Sequence, residues 1–217
     1  MGEIVIVRHG QASYGTDDYD RLSPLGHQQA DWLGEWLARH ETGFDRVISG
    51  TLRRHRETAA GIGAHLDHGP IDKDPRLNEM QFFAMERQFR QRHGIDEDEA
   101  SADPEGHFTR VMQAWKAQEI SDAPESFTDF RSRVLDALND HARPAHRLLI
   151  VSSGGPVGIV LSQVLGLDLG AMTELILTTY NASITRLHLR RGGLRLTQFN
   201  AVPHLEHPDR RHALTWL

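Results

Sequence analysis

The hydrophobic pattern along the chain alternates between short apolar runs and longer amphipathic stretches. Ile4-Val5-Ile6-Val7 reads as a short core strand, and Gly10 in Arg8-His9-Gly10-Gln11 releases the backbone into a turn. The next stretch, Ala12 to Leu22, is rich in Gly, Asp, Ser and Tyr and suits an ordered surface loop. Ser23-Pro24 reads as an N-cap with proline at the first helical position, and Leu25, Ala30, Leu33, Trp36 and Leu37 approximate one face of a helix running to about His40. A second strand is predicted from Phe44 to Ser49, followed by Gly50-Thr51 and a helix from roughly Leu52 to His65. Arg147 to Ser152 is the clearest buried strand, and Ser153-Gly154-Gly155-Pro156 turns it into a helix through about Leu165. Strands near Ala182 to Leu189 and Leu194 to Phe199, joined by Arg190-Arg191-Gly192-Gly193, form a hairpin-like pair that closes the sheet. Between the second helix and the Arg147 strand, Pro75 to about Ala145 reads as long polar helices anchored by Phe82, Phe83, Phe89, Phe108, Met112, Trp115, Phe127 and Phe130. Alternating strands and helices predict a three-layer α/β fold in a single domain spanning 1–217, with 75–145 as a helical insertion.

Composition narrows the class. At 217 residues, 39% hydrophobic and 25% charged, the chain reads as one soluble domain with a full core. A net charge of −6 argues against a nucleic-acid surface or a polybasic membrane anchor, so any anion site is local. The absence of cysteine excludes disulfides, thiolate catalysis and Cys-type zinc sites, and it fits a reducing cytoplasm. Met1-Gly2-Glu3 leads straight into the first strand without the pattern of a signal peptide, and the apolar runs fall short of the roughly 20 residues that span a membrane. The acidic run Asp96-Glu97-Asp98-Glu99 is a solvated loop or a helix cap. Among the 14 histidines, the pairs His65/His68 and His204/His207 lack a clear third ligand and read as surface residues rather than metal sites.

Three predicted strands end in polar, anion-friendly turns: Arg8-His9-Gly10, Ser49-Gly50-Thr51 leading to Arg54, and Ser152-Ser153-Gly154-Gly155. Arg53, Arg54 and Arg56 crowd the positive end of a helix dipole, which predicts a compensating anion or carboxylates there, an exposed basic face being the simpler alternative. Arg76-Leu77-Asn78-Glu79 adds a carboxylate after a proline-bounded loop. A nucleophile, two fixed cations, helix N-terminal amides and an acid are the parts of covalent phosphoryl transfer.

In these blocks the chain resembles the histidine phosphatase superfamily, the phosphoglycerate-mutase-like proteins. Arg8-His9-Gly10, Leu52-Arg53-Arg54 with Glu57-Thr58-Ala59, Arg76-Leu77-Asn78-Glu79, Val151 to Gly155 and Asn181 to Thr185 fall in the family's order and cover nearly the whole chain. The resemblance implies a three-layer α/β/α fold with a largely parallel central sheet, no metal or organic cofactor, and a phosphomonoesterase acting on a small phosphorylated metabolite or phosphopeptide. It assigns His9 as the nucleophile that becomes phosphohistidine, Arg8 and Arg54 as the grip on the phosphoryl oxygens, and Glu79 as general acid, then general base, with a raised pKa. Gln11, Ser13 and Ser23 are expected to line the phosphate pocket, and the amides of Gly154 and Gly155 to bind anionic oxygen. In such proteins insertions shape the pocket mouth, so substrate choice is expected in the 75–145 segment.

Ser153 departs from the family pattern, which has a second histidine there that contacts the phosphoryl group. A hydroxyl carries no positive charge, and loss of one preorganised donor typically costs about 100- to 1,000-fold in turnover. The open alternatives are therefore an efficient phosphatase, a weakened phosphate-binding or interaction module, and a phosphomutase. His204 or His207 is a candidate substitute if the C-terminal tail folds over the site. Ser153 lacks the glycine two residues upstream that a serine-hydrolase elbow requires.

Overall fold

The structure, a computed structural model, describes residues 2–13, 15 and 18–216. Strands β1 (Gly2–Arg8), β2 (Arg46–Ser49), β3 (Ile71–Lys73), β4 (Arg147–Ser152), β5 (Ile184–Arg190) and β6 (Gly193–Ala201) form one sheet in the order β3-β2-β4-β1-β5-β6. The first four are mutually parallel, whereas β5 runs antiparallel to both β1 and β6. The three-layer, largely parallel α/β fold is thus as expected, with the hairpin closing one edge.

Period-two alternation sorts the strand residues between two helical layers. Val5, Val7, Val47, Leu149 and Val151 face one side, where they meet Leu33 and Leu37 of α1 (Pro24–His40) and Ala59 and Ile62 of α2 (Arg53–Gly63). Ile4, Ile6, Ile48, Leu148 and Ile150 face the other. There they pack with α3 (Phe82–His93), α5 (Pro104–Lys116), α6 (Phe127–His141), α7 (Gly154–Leu165) and α8 (Leu169–Thr178), while the short α4 (Glu97–Ala102) lies outside the core. Burial on both faces explains the unbroken apolar runs of β1 and β4.

Most predicted boundaries hold within a few residues. Among the strands and α-helices of the described residues, two were not anticipated. β3 carries one apolar residue in three and lies at the sheet edge, so it leaves no periodic signal. α8 begins three residues after Gly166, which ends α7 in the left-handed region at φ 69°. Its signal was Asp168, whose carboxylate accepts from the Ala171 amide at 2.8 Å as an N-cap. The acidic run is partly a cap, since Asp96 accepts from the Glu99 amide at the start of α4.

Register places the chemistry. Arg8 pairs with Ser152, and Ser49 with Val151, so the carboxyl ends of β1, β2 and β4 finish side by side. This is the edge where open α/β sheets bind ligands. The opposite end is tied by ion pairs of Arg147 and Arg186 with Glu3 and Glu41.

Candidate active site

His9 leaves β1 with its backbone fixed on three sides. Its amide donates to Ser152 O, and its carbonyl accepts from the amide of Ala182 and the side chain of Asn181. Nδ1 lies 2.7 Å from Gly10 O, and because a carbonyl only accepts, the ring proton sits on Nδ1. Nε2 is then a lone pair, consistent with its acceptance of a hydrogen bond from Arg54 Nε at 3.2 Å. The pKa of His9 is pushed well below the ordinary value of 6.5, first by burial and then by the charge of Arg54, so the imidazole is neutral near pH 7. Gly10 is required at the turn because a Cβ there would stand 2.4 Å from Gly26 O of α1.

Both predicted arginines reach the site. Arg8 is anchored by Thr179 O and by Trp216 O, while its Nε is buried and has no hydrogen-bond partner among the described residues. Arg54, buried at the start of α2, donates Nη1 to Asp20 at 2.7 Å and stacks on Tyr19 at 5.3 Å. The predicted compensation of the cation cluster is therefore by carboxylates. Asp20 also accepts from the Arg53 amide, capping a helix whose own N-cap residue, Leu52, makes no side-chain cap bond. Arg53 pairs with Asp18 and Glu57.

Glu79 is delivered from the sheet edge by a 3-10 turn (Pro75–Leu77) that neighbours clamp in place. Arg133 of α6 donates to Arg76 O and Asn78 O, each at 2.7 Å, and Ser152 donates to Leu77 O. Asn78 in turn holds the Thr51 amide at 2.7 Å, coupling the acid's loop to the turn before α2. The carboxylate accepts from the amides of Gly155 and Met80, both at 3.0 Å. Burial raises its pKa above the ordinary 4.5, a push that these amides and the charges of Arg54 and Arg8 oppose but do not cancel. A raised pKa is what a carboxyl group needs to carry a proton in turnover.

The other predicted contacts separate. Gly155 does not present its amide to an incoming anion, because Glu79 occupies it; its role in the structure is to hold the acid. Ser23 caps α1 through the Gly26 amide and donates to Gln11 Oε1, and Ser13 donates to Leu22 O, so both hydroxyls brace the loop. Gln11 is held by its backbone bond to Gln29 and by this Ser23 contact. Neither tail histidine approaches Ser153. His204 is buried with both ring nitrogens unpartnered among the described residues, and His207 is exposed and paired with Asp209. The histidine beside Ser153 is His55 of α2, at 2.6 Å, which sequence reading passed over. Its only sequence signal was adjacency to Arg54. Of the two doubtful metal pairs, His65 bonds Asp31 and His68 bonds Gly69 O. No cluster of three or more His, Asp or Glu side chains is placed to hold a metal among the described residues.

Gly155 makes the acid's position testable. A Cβ there would lie 2.0 Å from Glu79 Oε1 and 2.7 Å from Met80 Sδ. Gly155→Ala is expected to displace the carboxyl and lower kcat by roughly 100-fold, within the range associated with a general acid. Overpacking should cost about 1–3 kcal/mol in a denaturant titration.

An imidazole lone pair, two arginines and a buried acid at the end of a parallel sheet define a phosphoryl-transfer class of site. The chain belongs to the histidine phosphatase superfamily (branch 1), whose family profile matches residues 4–202. A Salmonella arizonae protein named "Probable phosphoglycerate mutase GpmB" is 30% identical over 195 residues, covering 86% of this chain and 85% of its own. The Erwinia tasmaniensis protein of the same name is 29% identical over 200 residues with the same coverage. Among solved structures, phosphoserine phosphatase from Entamoeba histolytica in complex with 3-phosphoglyceric acid superposes with a TM-score of 0.68 at 19% identity, covering 94% of this chain and 100% of that one. A mycobacterial glucosyl-3-phosphoglycerate phosphatase with inorganic phosphate gives 0.66 at 23%, covering 94% and 99%. These likenesses show a shared fold. No helix among the described residues is long and apolar enough to cross a membrane.

Proposed function

We propose that the protein hydrolyses a phosphomonoester through a phosphohistidine on His9. The observation that carries this reading is the tautomer of His9: Nδ1–H is committed to Gly10 O, and the Nε2 lone pair faces Arg54. In the first step Nε2 attacks phosphorus, the bond to the leaving oxygen breaks, and protonated Glu79 gives its proton to the departing alkoxide. In the second, water attacks phosphorus, ionised Glu79 takes its proton, and the N–P bond breaks to release inorganic phosphate. Arg8 Nε and the Arg54 guanidinium hold the phosphoryl oxygens, the substrate replacing the contact that Arg54 now makes with His9.

The remainder of the substrate passes an aromatic rim. Phe83, at the start of α3 and 47% exposed, meets Tyr19 edge-to-face at 5.3 Å, and Tyr19 in turn covers Arg54. The 75–145 segment thereby reaches the mouth, which supports its assignment as the source of substrate choice among small phosphorylated metabolites or phosphopeptides. The neighbouring structures carry phosphoserine and 3-phosphoglyceric acid, ligands that open a substrate screen.

Rapid alkaline quench of a labelled phosphate ester should trap one acid-labile, base-stable phosphoryl group on His9. Turnover with no protein-bound label would overturn the covalent route. The mutase name of the relatives favours one second reading. Incubation with 3-phosphoglycerate separates the two, since a phosphatase releases inorganic phosphate and a mutase yields the isomeric phosphoglycerate.

A further inference from the structure

We propose that His55 and Ser153 form a directed donor pair, in which the imidazole orients the Ser153 hydroxyl onto the phosphoryl oxygens of the transition state. The inference rests on the phosphatase reading above. Ser153 would be a catalytic residue and His55 its positioning residue.

Ser153 is the N-cap of α7, where a serine ordinarily turns its oxygen onto the amides of its own first turn. Here it makes no such bond. Its Oγ instead lies 2.6 Å from His55 Nε2, and the amide that a cap could have served, on Gly155, goes to Glu79. Ser153 and His55 are both fully buried. A pair of apolar side chains would fill that volume without leaving a polar atom unmatched, whereas His55 Nδ1 has no partner among the described residues.

That unpartnered Nδ1 indicates the direction of the bond. A proton on Nδ1 would be buried without an acceptor, so the proton sits on Nε2 and is donated to Ser153 Oγ. The hydroxyl proton of Ser153 then has no acceptor among the described residues and is left to bond a ligand. The ligand's seat is adjacent. The His55 ring centroid is 5.6 Å from that of His9, and the unpartnered Arg8 Nε is 3.9 Å from the point where a Cβ on Gly154 would stand. Gly50 leaves the space for the ring, because a Cβ there would be 2.1 Å from His55 Nδ1. Burial and the neighbouring Arg54 push the pKa of His55 well below 6.5, so the pair donates without adding a third cation. Preorganised neutral donors of this kind strengthen as charge develops in the transition state.

The test compares orthovanadate, which adopts five-coordinate geometry, with inorganic phosphate as inhibitors of wild type, Ser153→Ala, His55→Ala and the double variant. Ser153→Ala and His55→Ala should each weaken vanadate inhibition and kcat by about 10- to 100-fold while changing phosphate inhibition less than about twofold. The double variant should be no worse than either single one. His55→Gln, which can donate from a similar position, should recover part of the loss and serves as the second variant if His55→Ala does not fold. Equal losses for both anions, additive losses, or unaltered rates in Ser153→Ala would overturn the pair. If wild type turns over and Ser153→Ala matches it, only the pair falls. A wild type that neither turns over nor binds vanadate overturns the phosphatase reading as well.

Discussion

His9→Ala is expected to lower turnover of a chromogenic phosphate ester by about 10⁴-fold or more, with no phosphoryl group trapped on the protein. Removing a covalent nucleophile leaves only the binding and charge stabilisation supplied by the remaining residues. A buried pocket that binds the ester and accelerates attack by water directly would instead retain most of the rate, and that outcome would sink the covalent mechanism. The pH profile gives a second reading of the same residue. Because the pKa of His9 is lowered well below 6.5, its neutral form persists through pH 6.5, and an acid limb caused by His9 protonation should begin well below that point. The stability sign agrees. A depressed histidine pKa contributes stability that is present above pH 6.5 and is lost as pH falls through the folded-state value.

Glu79→Gln should separate activity from stability. Loss of the proton donor is expected to cost about 10²- to 10⁴-fold with an alkyl phosphate, whose leaving alkoxide needs protonation. With an aryl phosphate that leaves as a stable phenolate, the first half-reaction should suffer far less. An equal loss on both substrates would remove Glu79 from the general-acid role. The melting temperature of the same variant relative to wild type should be higher at neutral pH than at pH 4, on top of a pH-independent cost from the amide NH2 that replaces one accepting oxygen. A carboxyl pKa raised by burial contributes stability below pH 4.5 that is lost as pH rises through the folded-state value, leaving an ionised group that burial penalises. Glutamine has no such charge, so the difference in melting temperature should move in favour of wild type toward pH 4. Parallel unfolding curves at both pH values would contradict the raised pKa.

What was legible in the chain was legible for local reasons. Ile4 to Val7 and Leu148 to Val151 show as strands because unbroken apolar runs followed within a few residues by glycine need no distant partner to be recognised. Ser23-Pro24 marks the start of α1 because capping is decided within three residues. Arg8, His9, Arg54 and Glu79 could be nominated because their surrounding blocks are short and contiguous, and the sheet register brings the ends of β1, β2 and β4 together. Gly155 was misread for the converse reason. A helix N-terminal amide looks open to an anion until the acid from a loop 76 residues away is seen bonded to it. The tail histidines divide: His207 is the surface residue expected, whereas the fold of residues 203–216 buries His204 among neighbours.

The sequence alone determined which groups are present: an imidazole, two guanidinium groups and a carboxyl, each beside a recognisable element. Tertiary structure decided how those groups are charged and directed, because burial and hydrogen bonding act between residues far apart in the chain. Arg54 takes its counter-ion from 34 residues away, and Ser153 receives its imidazole from 98 residues away. Such distances are closed only by packing α2, the 3-10 turn and α7 against one sheet edge. The raised pKa of Glu79, the neutrality of His9 and the meeting of His55 with Ser153 all follow from that packing.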